Sequence, residues 1–172
     1  MKKYVLLFLI LILMSVPSAF ARSNYVLPYP SAMPGSKSYK VHLIWEELLK
    51  YWYFGNFGQF KYNLMESDKY LVEAKTLFEY NQYLLGNTAL GKSNSYFLQA
   101  YPFLIRAQNE NKDVIKSKLL LKQAALKHVE TLQMLESVIP KTFTWQPEKS
   151  SPTILNLKNL LEESIAIRNK YL

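Results

Sequence analysis

The chain has no cysteine. That excludes a disulfide framework, a thiolate zinc site and a cysteine nucleophile. It also excludes a lipoprotein anchor of the bacterial type, which needs a cysteine at the mature N-terminus. Histidine is almost as scarce. His42 and His128 are the only two, and they fall on different expected helices, so a metal site using both would need carboxylates from elsewhere. No His-Glu-x-x-His, Glu-x-x-His or calcium-loop spacing occurs. The five glycines form no phosphate-binding loop, and there is no Gly-x-Ser-x-Gly elbow. No stretch shows a convincing strand pattern, and there is no run of five or six like charges. The sequence calls for no cofactor.

What the chain does have begins with a leader. Lys2-Lys3 is followed by the unbroken apolar run Val5 to Met14, then by Ser15, Pro17 and Ser18, then by Ala19-Phe20-Ala21. A basic end, a short apolar stretch and a small-x-small site in that order make a secretory signal, residues 1–21. The run is well short of the roughly 20 residues a spanning helix needs. Cleavage after Ala21 is expected, and an uncleaved N-terminal membrane tether is the alternative. Either way the body is expected outside the cytoplasm, in the periplasm or at the cell surface. Nucleic acid is then a poor partner despite a formal net charge of +8, which falls by two when Lys2 and Lys3 leave. Scattered basic residues read as solvated helix faces, with a weak pull toward membrane or wall polymers.

Residues 22–36 follow as a proline-rich strap. Pro28, Pro30 and Pro34 fix their own φ and push their predecessors to extended geometry. Pro34-Gly35 is a turn dipeptide, and Ser36 stands where a helix cap is wanted. Tyr25, Val26, Leu27, Tyr29 and Met33 are too apolar for a free linker, so some are expected to lie on the helices.

Leu27, Pro28, Tyr29, Pro30, Met33, Pro34, Ser36 and Tyr39 also carry a resemblance. They match the opening motif Leu-Pro-Tyr-Pro-Gly-x-Leu-Pro-Asp-Ser-Pro-x-Tyr of an uncharacterised family of exported bacterial helical domains. Ser31, Gly35 and Lys37 depart from it. The resemblance runs through most of the mature chain. It implies export and a helical fold, with a turn near residue 81 giving a tetratricopeptide-like helical pair. It brings no activity.

From residue 37 to 172 the pattern is helical: an all-α, antiparallel bundle of about five helices with tetratricopeptide-like hairpin packing. The first helix is expected over 37–53, with Val41, Ile44, Trp45, Leu48, Tyr51 and Trp52 as a wide apolar stripe. In the second, Phe57, Phe60, Leu64, Ser67, Leu71, Ala74 and Phe78 form a narrow seam. Gly86-Asn87 looks like the natural stop. However, Gly86, Leu90, Ser93, Phe97, Ala100, Leu104 and Ala107 make a second seam that includes the glycine, with a small residue at every seventh position. The turn is therefore placed at Tyr80-Asn81-Gln82 and the third helix at 83–109, with Pro102 expected to kink or split it. A fourth helix over 113–139 carries Val114, Leu121, Ala125, His128, Leu132, Leu135 and Ile139. Residues 141–150 read as a loop whose Trp145 lies on the bundle. Ser151-Pro152 reads as the start of the fifth helix, with Ile154, Leu157, Leu161, Ile165 and Arg168 on its face.

Two features stand out as candidate sites. His128 sits on an apolar seam. The plain reading is a core imidazole that finds a carbonyl or carboxylate; a ligand, catalytic or pH-sensing role is the sharper one. The second feature is the aromatic load of 13 tyrosines, nine phenylalanines and three tryptophans. It is densest around Tyr51, Trp52, Tyr53 and Phe54, the candidate binding surface. Such a cluster serves as bundle core, as a protein contact surface, or as a platform for glycan or lipid. The adjacent pairs Glu46-Glu47 and Glu162-Glu163 point about 100° apart on a helix and read as solvated rather than as facing catalytic acids. Without a reactive constellation, the leading expectation is a non-enzymatic envelope protein that contacts another envelope protein. The alternative is a glycan- or lipid-binding module that uses the aromatic cluster.

Overall fold

The computed structural model describes residues 23–30, 33–36 and 39–172, and within the first helix it leaves out the side chains of His42, Leu43, Glu46 and Glu47. The expected leader, its cleavage site, the motif positions Ser31 and Lys37 and the Glu46-Glu47 carboxylates lie outside the described residues. Described are the helices α1 (Tyr39–Trp52), α2 (Gly55–Glu79), α3 (Tyr83–Asn109), α4 (Ile115–Val138) and α5 (Leu157–Asn169), with a two-stranded sheet, β1 (Thr142–Trp145) and β2 (Thr153–Asn156), between the last two helices. The protein is an all-α bundle with one small hairpin attached. No described helix is long and apolar enough to cross a membrane.

Helices α2 and α3 form the central hairpin and share the most extensive contact in the molecule. Their turn lies at residues 80–82. Asn81 takes the left-handed conformation at φ 59°, and the Gln82 N–H donates to the Leu77 carbonyl at 2.8 Å, closing the last turn of α2. The end of α3 repeats the device: Asn111 has φ 58°, and the Lys112 N–H reaches the Ala107 carbonyl. Helix α3 runs through Gly86 because the glycine lies against α2. A Cβ at that position would stand 2.6 Å from the Phe78 ring. Gly86, Ser93, Ala100 and Ala107 are all buried, so the small residues of the seam do bring the two helices close. Pro102 neither splits nor ends α3, because it sits on the exposed side, where water can take the carbonyl left without its N–H.

The apolar interior is in two parts. One groups Leu71, Leu77, Phe78, Leu90, Leu132, Leu135, Leu157 and Leu161 with neighbours, and Leu27 and Met33 of the strap pack on it. The other groups Phe60, Leu64, Phe97, Leu104, Leu121, Ala125 and Ile167, with Tyr25 against it. Each fully buried leucine or phenylalanine contributes about 1.5–3 kcal/mol. Strap residues alternate. Tyr25 and Leu27 turn inward while Val26 and Tyr29 face water. Gly35, at φ 98°, follows Pro34 in a turn closed by Ser36 N–H to the Met33 carbonyl at 3.1 Å.

The C-terminal third differs from expectation in three ways. Residues 142–145 and 153–156 pair as antiparallel strands, with Phe143 opposite Leu155. Their alternation turns Phe143 inward, where its ring meets Tyr83 at a centroid distance of 4.8 Å. Trp145, expected on the bundle, remains 39 % exposed, and Phe143 does the packing instead. Helix α5 begins at Leu157, not at Ser151-Pro152. Its cap is Asn156, whose side chain accepts from the Asn159 N–H at 3.1 Å. Ile154 is consequently an exposed strand residue and not part of the helix face.

Candidate functional site

The apolar stripe of α1 is not core. Val41, Ile44, Trp45, Leu48, Tyr51 and Trp52 are between 57 and 79 % exposed. The spacing that buries a face on every other helix here leaves one in solvent. Polar bonds tie both ends of the helix to the body. The Tyr39 hydroxyl donates to Glu73 at 3.3 Å, and Gln59 Nε2 donates to the carbonyls of Lys50 and Tyr53 at 3.1 and 2.7 Å. The corner after α1 is tight. Gly55 takes φ 67°, and a Cβ on Gly58 would stand 2.8 Å from the Tyr53 carbonyl carbon. Along the stripe Trp45, Leu48, Leu49 and Trp52 line a hollow of about 490 Å³.

The four candidate surface residues separate. Tyr51, Trp52 and Phe54 face water. Tyr53 turns inward: its ring packs on Tyr62 at 5.8 Å, and its hydroxyl lies 3.7 Å from Met65 Sδ. Sequence spacing puts all four within one turn of helix, but the break at Phe54 directs them to different sides.

His128 lies elsewhere, fully buried. It belongs to a polar layer between the two apolar groups, built from one level of helices α2 to α5. Helix α2 supplies Ser67 and Asp68, α3 supplies Ser93 and Asn94, α4 supplies His128, and α5 supplies Ser164 and Arg168. Asp68 Oδ1 lies 2.7 Å from His128 Nε2. Arg168 Nε donates to His128 Nδ1 at 3.4 Å. Because an arginine can only donate, Nδ1 is the acceptor, and the ring proton sits on Nε2, which donates to Asp68. The imidazole is therefore a neutral spacer between a guanidinium and a carboxylate. Arg168 Nη1 also donates to Asn94 Oδ1 and the Ser164 carbonyl, and Nη2 to Ser93 Oγ at 2.9 Å. Its guanidinium lies over the Phe97 ring. Ser67 and Ser93 exchange hydroxyl-to-carbonyl bonds at 2.9 and 2.8 Å, which only a close approach of α2 and α3 permits. From the strap, the Tyr25 hydroxyl reaches the other oxygen of Asp68.

Burial sets the protonation here. It lowers the His128 pKa, and Arg168 adds to that, while the bond to Asp68 opposes it. Burial pushes Arg168 down to about 9, with Asp68 pulling the other way, so it stays charged at neutral pH. Burial and the adjacent Asp68 carboxylate raise the Tyr25 phenol, which stays protonated as a donor.

Both nitrogens of His128 are engaged, and the ring has no exposed edge, so it offers nothing to a substrate or a metal. No group of three or more His, Asp or Glu side chains that could hold a metal ion occurs among the described residues. Glu162 and Glu163 are exposed, and Glu162 pairs with Lys158 at 3.4 Å. The reading of single residues missed Asp68 as the partner of His128, and Asn94 and Tyr25 as members of the same layer. A signal for the layer was present: Ser67, Ser93, His128 and Arg168 each interrupt an apolar seam near its middle or end. No protein-family model, curated protein or solved structure matches the chain.

Proposed function

We propose that this chain is an exported, non-enzymatic helical protein of the bacterial cell envelope that acts through protein–protein contact, with the exposed face of α1 as the contact surface. The observation that carries the reading is the unburied stripe itself. Six large apolar side chains at helical spacing in water are costly unless something covers them. Export rests on the leader pattern of residues 1–21 and on the likeness of Leu27 to Tyr39 to the opening of exported helical chains. The non-enzymatic reading is supported by His128, the most chemically suggestive side chain, being locked on both sides.

The occupant that suits the face is an apolar helix of a second envelope protein. Helix α1 has 14 residues, about 21 Å at 1.5 Å per residue. The hollow framed by Trp45, Leu48, Leu49 and Trp52 suits a large side chain inserted from such a helix. Tryptophans flanking a leucine are also the kind of residue that dominates binding energy at interfaces. A photoreactive residue in place of Leu48 should give a discrete protein adduct in whole cells, and the same residue at the exposed position Ile154 should not. Equal adducts at both positions, or none at position 48, would refute the reading.

The second reading is a lipid- or glycan-binding face. The paired tryptophans favour it, because indoles settle at the boundary between apolar and wet surroundings. Adducts to lipid or to wall sugar at position 48, without protein, would establish it in place of the first.

A further inference from the structure

At the end of the bundle remote from the hairpin turn of α2 and α3, Tyr101, Lys118, Leu119, Leu121, Lys122, Lys170, Tyr171 and Leu172 line a hollow of about 530 Å³ that is open to solvent. Pockets of roughly 300–1,000 Å³ hold small ligands. Its wall is aromatic and aliphatic. Tyr101 and Tyr171 meet at 5.1 Å, and Tyr171 packs edge-on against the core ring of Phe97 at 5.7 Å, so the tyrosines form a fixed floor. Leu121 is buried beneath them.

The charged side chains that line this floor all have one sign. Lys69, Lys75, Lys112, Lys127 and Lys158 each reach a glutamate. Lys118, Lys122 and Lys170 reach none among the described residues; Lys118 donates only to the neutral Gln108 Oε1, at 2.8 Å. No Asp or Glu side chain lines the hollow. Lys118 and Lys122 are four residues apart on α4, where like charges destabilise a helix. The negative end of the α5 dipole explains Lys170 beside it, but it does nothing for the pair on α4. Fold stability alone gives no reason to set the pair Lys118 and Lys122 beside Lys170.

We infer that this hollow binds an anionic saccharide: a sugar ring lying on Tyr101 and Tyr171, with its phosphate or carboxylate held by Lys118, Lys122 and Lys170. Aromatic rings stack against the C–H face of a sugar, and three ammonium groups on flexible stems can converge on a phosphate or a carboxylate. The site is separate from the α1 face, and its occupation does not depend on what α1 contacts.

The test is titration calorimetry on the purified chain with glucose 6-phosphate, glucuronate, glucose and inorganic phosphate as probes. One of the anionic sugars should bind at least about tenfold more tightly than glucose or phosphate alone. The sugar phosphate and the uronate decide between the two kinds of anion. Replacing Lys118→Gln, Lys122→Gln and Lys170→Gln together should weaken that binding at least about tenfold. The control Lys116→Gln, Lys141→Gln and Lys149→Gln removes as much charge at other exposed positions and should leave it unchanged. Tyr101→Leu should bring the anionic sugar down to the level of inorganic phosphate. The inference is overturned if phosphate binds as well as the tighter of the two anionic sugars, if the control triple weakens binding equally, or if no anionic sugar binds more tightly than about 1 mM.

Discussion

The Tyr25 hydroxyl donates to Asp68 Oδ2 at 2.5 Å. One bond thus ties the strap to the same carboxylate that holds His128 and, through it, Arg168. The strap, α2, α4, α5 and, by way of Ser93 and Asn94, α3 all meet at one level of the bundle. Above and below that level the contacts are apolar and tolerate sliding. At the level itself they do not. If α5 slipped by one turn, Arg168 would face leucines without a partner, and an unpaired buried charge costs several kcal/mol. The polar layer therefore fixes the register that the apolar seams leave open.

Removing the strap's bond should be visible twice. Tyr25→Phe keeps the ring against Leu64 and its neighbours but leaves an Asp68 oxygen short of a donor in a mostly buried place. Such a loss costs about 1–3 kcal/mol. Urea unfolding should show that decrease, and limited proteolysis should cut the variant faster between Val26 and Pro30. An unchanged unfolding midpoint with unchanged proteolysis would mean that the strap is held by packing alone.

Acid should weaken the fold through His128. Burial holds its folded pKa below the ordinary value, while the unfolded imidazole takes its proton near about 6.5. Below that pH the unfolded chain binds a proton that the folded chain refuses. Stability therefore falls as the pH drops from the unfolded value toward the folded one, by at most about 1.4 kcal/mol per unit, and levels off below it. The groups facing the ring are Asp68 from α2 and Arg168 from α5, and neither offers the imidazolium a free acceptor. Unfolding midpoints measured from about pH 7.5 to about pH 5.5 should slope downward with acid, and the slope should flatten in His128→Gln. An equal slope in the variant would place the acid sensitivity elsewhere.

The parts of this architecture that could be read from the chain are those encoded by neighbours. Seams at steps of three and four gave α2, α3 and α4, and the small residues at 86, 93, 100 and 107 placed the turn at 80–82 against the pull of Gly86-Asn87. The β hairpin was hidden because Thr142 to Trp145 and Thr153 to Asn156 are too short to show alternation, and Pro147 and Pro152 suggest a loop. Spacing also could not show that the α1 stripe has no partner among the described residues, because a face meant for the core and a face meant for another molecule have the same periodicity. The bonds between elements of the polar layer join positions 26 to 75 apart in sequence, so His128 was visible as an oddity and its partners were not.

Two glycines of α3 should answer oppositely to the same substitution. Gly86→Ala puts a Cβ 2.6 Å from the buried Phe78 ring. That ring is hemmed in by the leucines of its group and by Tyr83, so it has little room to yield, and overpacking costs about 1–3 kcal/mol. Gly91 has open space where its Cβ would go. Gly91→Ala should therefore stabilise the helix by about 0.5–1 kcal/mol. Chemical denaturation of the two variants checks the sign of each. A stabilising Gly86→Ala would mean that α2 and α3 do not approach as closely as described.

The exposed face of α1 has its own signature in stability. Leu48→Gln changes a side chain that is already 57 % in water, so it should shift unfolding by no more than about 0.5 kcal/mol. The same change at Leu132, which is fully buried beside the polar layer, opens packing and strands an amide, and should cost about 3 kcal/mol or more. If α1 were really core, the two costs would be alike. A negligible effect of Leu48→Gln on the isolated fold, together with loss in cells of the protein adduct formed by a photoreactive residue at the neighbouring stripe position Ile44, is the combination expected of a surface kept apolar for a neighbour. A large loss of stability at position 48 would show instead that the chain covers this face itself.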